Sequence, residues 1–304
     1  MVDIRKSLLH LHIRIKKTDT MKKYLILCAQ IVMFMLLMGI FMVVGVGVLA
    51  ILGFNLQNLG DASSGIISVA LQELVMLGSI ALAAFVILHW WEKKPFSDLG
   101  FSFWGRGKDI FWGFLTALVL YAIGFSVSLF FGWVKIVDVG FYAYDFCLYL
   151  VLMLFVGMAE ELMCRGFLLG RMLNVGMHPL LALLLSSLFF ASLHLGNNGI
   201  STFAFINLTL AGILLGATYL YTRNLAFPII LHAFWNFIQG GVLGYAVSGS
   251  EKVNSVFTIA LDDNTLMNGG EFGFEASLVC TILMVVFIMI LLRYVGPRLK
   301  VQKN

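Results

Sequence analysis

Charge is scarce in this chain. Only 12% of its 304 residues are Asp, Glu, Lys or Arg, while 61% are apolar. A soluble domain carries about 25% charge and about 45–50% apolar residues. One soluble core cannot hide this excess, and a mean hydropathy of +0.96 specifies an integral membrane protein. The net charge of +4 is small, and no basic stretch is interleaved with aromatics, so nucleic acid is not an expected partner. Cysteine is also sparse. Cys28, Cys147, Cys164 and Cys280 lie in apolar runs with no CxxC pair and no disulfide-like spacing, and read as small buried hydrophobes. HExxH, GxSxG, P-loop and GxGxxG signatures are all missing, as are internal repeats and low-complexity linkers.

What is present is a series of long apolar runs. No charge occurs from Tyr24 to Gly60, a stretch too long for a signal-peptide core of about 7–15 residues. It reads as an uncleaved first span over 24–54. Seven more candidates follow at 66–91, 109–133, 146–172, 180–195, 200–221, 226–248 and 272–295. The expected fold is all-α, a polytopic membrane bundle of about eight helices. Trp90, Trp91, Trp104, Trp112 and Trp133 fall near the expected helix ends, as interfacial aromatics do.

Lys and Arg alternate between rich and poor loops. Seven precede Tyr24, four occupy 92–108, Arg165 and Arg171 close the fourth span, and Arg223 follows the sixth. Arg293, Arg298, Lys300 and Lys303 lie at the C-terminus. The positive-inside rule then places both termini in the cytoplasm. Residues 1–23 read as a basic cytoplasmic tail, with Met21-Lys22-Lys23-Tyr24 a second natural start after Met1. Residues 24–94 hold two additional helices, and 95–245 a core. Residues 246–304 hold an outer loop, the last helix and a basic tail.

A charge at bilayer depth costs at least about 2.5–3.5 kcal/mol and needs a reason. Glu73, Glu160, Glu161, Arg165, His194 and His232 are such positions, joined by the polar Asn236. Glu161 and Arg165 are four apart on one helical face, with the acid N-terminal, the favourable order for an ion pair. Glu160 points about 100° away, so it is free to act as a base. Phe190 and His194 share a face, as do His232 and Asn236; each pair alone also reads as a structural contact. At 1.5 Å per residue, Glu160 and His194 lie roughly 18–21 Å from the cytoplasmic helix ends, and His232 and Asn236 roughly 9–15 Å. Overlapping depths point to one buried polar site. A carboxylate with a histidine can deprotonate a water, and a second histidine with an amide can stabilise an oxyanion. Two histidines and a glutamate (Glu160, His194, His232) can also hold a divalent metal such as zinc; a metal-free glutamate mechanism fits the same residues equally. Cys164, one turn from Glu160, reads as a packing residue.

Glu160-Glu161-x-x-x-Arg165, Phe190-x-x-x-His194 and His232-x-x-x-Asn236, in this order on successive apolar helices, resemble the motifs of the CPBP family. These are the CAAX-processing and bacteriocin-processing intramembrane endopeptidases. Residues 211–236 resemble the family's closing helix pair, and Ser97-Asp98-Leu99-Gly100-Phe101 its lead-in, so the likeness spans roughly 95–245. The resemblance implies that Glu160 and His194 activate water and that His232 and Asn236 stabilise the oxyanion. Glu161, Arg165 and Phe190 would support them. It further implies a peptidase in a cell membrane, bacterial by expectation, opening to the cytoplasmic side. Its partners would be the lipid bilayer and a membrane-associated peptide or protein substrate. Glu73 lies outside the likeness and reads as a partnered structural acid. The alternatives are a non-proteolytic scaffold or self-immunity protein of the same fold and, more distantly, a proton-coupled carrier.

Overall fold

In the computed structural model the backbone is described for residues 2–54 and 65–301, and side chains for residues 21–54 and 65–293. The molecule is mostly helical. α1 (Val2–Ile51) runs through the basic stretch and the first apolar run without a break. The expected tail is therefore continuous with the span in its backbone; the side chains of residues 1–20 lie outside the described ones, as do those beyond Arg293. α2 (Ile66–Val86) continues through a wide π turn, Ile87–Glu92. α3 (Gly107–Phe130) and β1 (Val134–Val139) follow. α4 (Ala143–Glu161) passes through a π segment, Leu162–Leu169, into α5 (Gly170–Asn174). α6 (Pro179–Ser192), α7 (Thr202–Thr222) and α8 (Ala226–Phe237) complete the centre. β2 (Phe257–Leu261), the short α9 (Thr265–Asn268) and α10 (Leu278–Val301) end the chain.

Five stretches among the described residues are long and apolar enough to cross a membrane: Met21–Ile51, Ile66–Glu92, Gly107–Phe130, Ala143–Asn174 and Thr202–Thr222. Of the other three expected spans, α6 and α8 are shorter helices, while α10 runs for 24 residues, of which Leu278–Arg293 are described with their side chains. α6 has 14 residues, about 21 Å of rise against a hydrocarbon core of about 30 Å. α8 is buried along nearly its whole length, so neighbouring helices rather than lipid set its limits. The lipid-facing surface follows membrane logic. Val32, Leu36, Ile40 and Val43 form an exposed apolar stripe on α1. Cys164 and Cys280 are buried as expected, whereas Cys28 and Cys147 are exposed on that outer surface.

The bundle is not purely α. β1 and β2 pair antiparallel from Val134↔Leu261 to Val139↔Phe257. Both strands lie in segments expected to be loops. Their β-branched residues favour a pleat, but more than a hundred residues separate them, so no hairpin signal marks the pairing.

Small residues let helices meet. A Cβ on Gly157 would stand 3.1 Å from the Ile229 carbonyl oxygen, so α4 and α8 touch backbone to backbone. One on Gly212 would stand 2.8 Å from Ser187 Cα, and α6 and α7 are equally close there. Two apolar clusters result. One gathers α1, α2, α6 and the π segment, with Phe34 stacked on Phe167 at 4.1 Å. The other gathers α3, α8 and α10 around Tyr121, Trp235 and Phe274.

A polar clasp closes one end of the bundle. Buried Arg171 binds Glu92 at the end of α2 and Asp98 in the α2–α3 link. Gln30 donates to Glu92 at 3.0 Å, and Lys94 stands 3.4 Å from Asp98. Partial burial opposes ionisation of Asp98, but the Arg171 guanidinium and Lys94 ammonium hold its carboxyl below the usual value. Gly100 (φ +78°) accepts from Leu225 N at 2.9 Å, and Asn224 donates to the Ser102 carbonyl at 2.9 Å. The Ser97-Asp98-Leu99-Gly100-Phe101 segment thus joins the α2–α3 link to α5 and to the α7–α8 turn.

Candidate active site

The site grows from the C-terminal turn of α4. Glu161 is wholly buried, and its Oε1 accepts from Arg165 Nη1 at 2.5 Å, four residues on. The expected pair therefore forms. Arg165 also donates from Nη2 to the Gly212 carbonyl at 3.1 Å, which explains why α7 must approach so closely. The pair is not closed on itself. His232 Nδ1 sits 2.9 Å from the same Glu161 Oε1. The backbone approach at Gly157 brings α8 within reach for that contact.

Phe190 stands among these groups. The Arg165 guanidinium lies 4.6 Å from its ring centre, the His194 ring 5.0 Å and the His232 ring 5.8 Å. One phenyl ring therefore packs against a cation and both imidazoles.

Glu160 faces a different way, as the helical turn dictates. It lines a cavity of ≈ 250 Å³ together with His194, His232 and Asn236. All four expected catalytic residues meet there, at the seam between the two apolar clusters. His232 Nε2 is 3.9 Å from Glu160 Oε2, and that oxygen is enclosed without a hydrogen-bond partner among the described residues. His194 Nδ1 lies 3.0 Å from the Phe190 carbonyl oxygen. A carbonyl only accepts, so Nδ1 carries the proton and Nε2 of the neutral ring is an acceptor. His232 differs. With Nδ1 committed to Glu161, a donor role at Nε2 requires the doubly protonated ring.

Among the described residues, no three His, Cys, Asp or Glu side chains converge as an ion-binding group. Glu160, His194 and His232 share the cavity, and each histidine has its Nδ1 engaged by a carbonyl or carboxylate, which leaves Nε2 as the other ring nitrogen.

Three features depart from the sequence expectations. First, Glu73, expected as a partnered structural acid, forms no ion pair among the described residues. It lines the same cavity, and its Oε2 has no hydrogen-bond partner among the described residues. Its apolar helix flagged it as costly, but nothing in the sequence pairs α2 with α4. Second, Glu275 lines the cavity too, although it went unremarked inside the expected span 272–295. Its carboxylate accepts from Trp235 Nε1 at 3.1 Å and from Ser248 N and Oγ at 2.8 and 2.7 Å. It pins the loop after α8 to α8 itself. Third, the cavity does not face the clasp. It is lined by Asn197, Ser248 and the exposed Ser250, from the α6–α7 turn and the loop after α8. Both connections lie at the end of α7 and α8 opposite the Asn224 turn that binds the clasp. The lining thus reaches the end of the bundle away from the clasp.

Residues 142–238, about a third of the chain, match a family model described as type II CAAX prenyl endopeptidase Rce1-like. That segment contains Glu160, Glu161, Arg165, Phe190, His194, His232 and Asn236; Glu73 and Glu275 fall outside it. The family suggests CAAX-type intramembrane protease activity, and with the apolar helices it supports an integral membrane peptidase acting on peptide substrate. No curated protein and no solved structure matches the chain.

Proposed function

Membership of the CPBP family, which the match over residues 142–238 supports, is the premise from which we propose an intramembrane endopeptidase that uses Glu160 as its base. Its substrates are membrane-associated, of the CAAX-like or peptide-precursor class. The observation that carries this reading is the single cavity lined by Glu160, His194, His232 and Asn236, with Glu160 Oε2 free.

Each group has a step. His194 Nε2 accepts a hydrogen bond from water, and Glu160 takes the water's proton as its oxygen attacks the scissile carbonyl carbon. A positioned base of this kind contributes about 10²–10⁴ in rate. Negative charge then develops on the carbonyl oxygen. The Asn236 amide and His232 Nε2–H donate to it, each such donor contributing about 10²–10³. Glu161 holds His232 by Nδ1, Arg165 neutralises Glu161, and Phe190 packs against Arg165 and both imidazole rings. The apolar walls keep bulk water from weakening these interactions.

The test compares new peptide termini in membranes holding equal amounts of folded wild type or Glu160→Gln. Termini that depend on Glu160 are expected, and they name the substrate. Identical termini in both would instead favour a scaffold or self-immunity role.

A further inference from the structure

We propose that Glu73 is a second catalytic carboxylate, which donates the proton that the leaving amine needs. This assignment rests on the peptidase reading above.

Val69 and Glu73 are four apart, so α2 turns both toward the same cavity, and both line it. Across from them stand Glu160, His194, His232 and, toward the loop end, Glu275. Glu275 is occupied by Trp235 and Ser248, and His232 by Glu161. Glu73 and Glu160 each keep an enclosed Oε2 with no hydrogen-bond partner among the described residues, and both line the one cavity. Two such groups can divide the proton transfers of the reaction. Hydrolysis of an amide requires a base for the water and an acid for the nitrogen, because an amine anion does not leave. Two carboxylates with one proton between them supply both, as in other carboxylate pairs.

The proton count closes. Glu160 takes one proton from water as the C–O bond forms. When the tetrahedral intermediate collapses, the C–N bond breaks and the nitrogen takes the proton of Glu73. Glu160 now holds a proton and Glu73 has none. Transfer from Glu160 to Glu73 within the cavity restores the starting state. Net, water's OH goes to carbon and its H to nitrogen, with no further reactant.

The proposal also explains why a helix outside the family-matched segment carries an acid at depth. Its test uses the full chain in membranes and reads the Glu160-dependent termini in wild type, Glu160→Gln, Glu73→Gln and Glu73→Met. The expected result is a loss of at least about 100-fold in those termini for both Glu73 variants, with melting in detergent like that of wild type. The methionine, apolar and of similar length, suits the helix if the amide does not fold. Full cleavage by either folded variant overturns the role of Glu73 and leaves the peptidase standing. Absence of Glu160-dependent termini even in wild type overturns both.

Discussion

Two buried arginines are held in opposite ways. Arg171, at the clasp, meets two carboxylates from different elements, Glu92 and Asp98, with Lys94 and Gln30 alongside. Arg165, in the interior, meets one carboxylate, and Glu161 shares that same oxygen with His232. The clasp gathers opposite charges at an edge that water still reaches. The interior pair leaves a chain of dependence, Arg165 to Glu161 to His232, ending in a cavity with free carboxylate oxygens. A cluster of matched charges closes the bundle in one place. In the other, a strict pairing orients an imidazole.

The largest effect expected from this comparison is on folding. Arg165→Met strands a wholly buried carboxylate, and breaking such a pair costs about 3–5 kcal/mol. Arg171→Met is expected to cost less, because Glu92 and Asp98 keep 12% and 30% exposure and can be solvated. Melting of the two variants in the same detergent decides the matter, and equal losses would erase the distinction. A middle effect concerns the anchor of Arg165. Gly212→Ala drives a methyl against Ser187 and displaces the carbonyl that Arg165 uses, at about 1–3 kcal/mol. Gly78→Ala, where nothing lies within 4 Å, is the control and should melt at or above wild type. Similar behaviour of both variants would mean that close packing at Gly212 is not what holds the pair.

The smallest effect is a pH dependence at the clasp. Asp98 is held below its usual value in the fold. The stability it adds is therefore present above the unfolded value of about 3.9 and is lost as pH falls through the lower folded value. Melting temperature followed downward from neutral pH should drop more steeply for wild type than for Asp98→Asn at the acid end. Parallel curves would remove Asp98 from the account of the clasp.

Much of the site was legible because helical spacing is local. Glu161 with Arg165, and His232 with Asn236, follow from a period of 3.6 and need no knowledge of neighbours. The cost of charge in an apolar run also singled out Glu73. Its place on the cavity of Glu160 could not be read, since residues 87–142 separate α2 from α4 and the two carry no shared pattern. Glu275 was missed for a related reason. It belongs to a 3₁₀ turn before α10, not to the span, and only the folded loop supplies its donors. The β1–β2 ribbon was hidden by the same kind of separation.

Composition and period alone determined that this chain lives in a membrane, where its long apolar spans run, and which side chains pay for being there. Those are one-dimensional properties: transfer energy summed along a run, and the angle between neighbours on a helix. Only the tertiary structure decided that His232 leans on Glu161, that Glu73 shares a cavity with Glu160, and that residues from the end away from the clasp line it. Each of those is a contact between helices, set by where Gly157 and Gly212 allow backbones to meet, and no period along the chain encodes it.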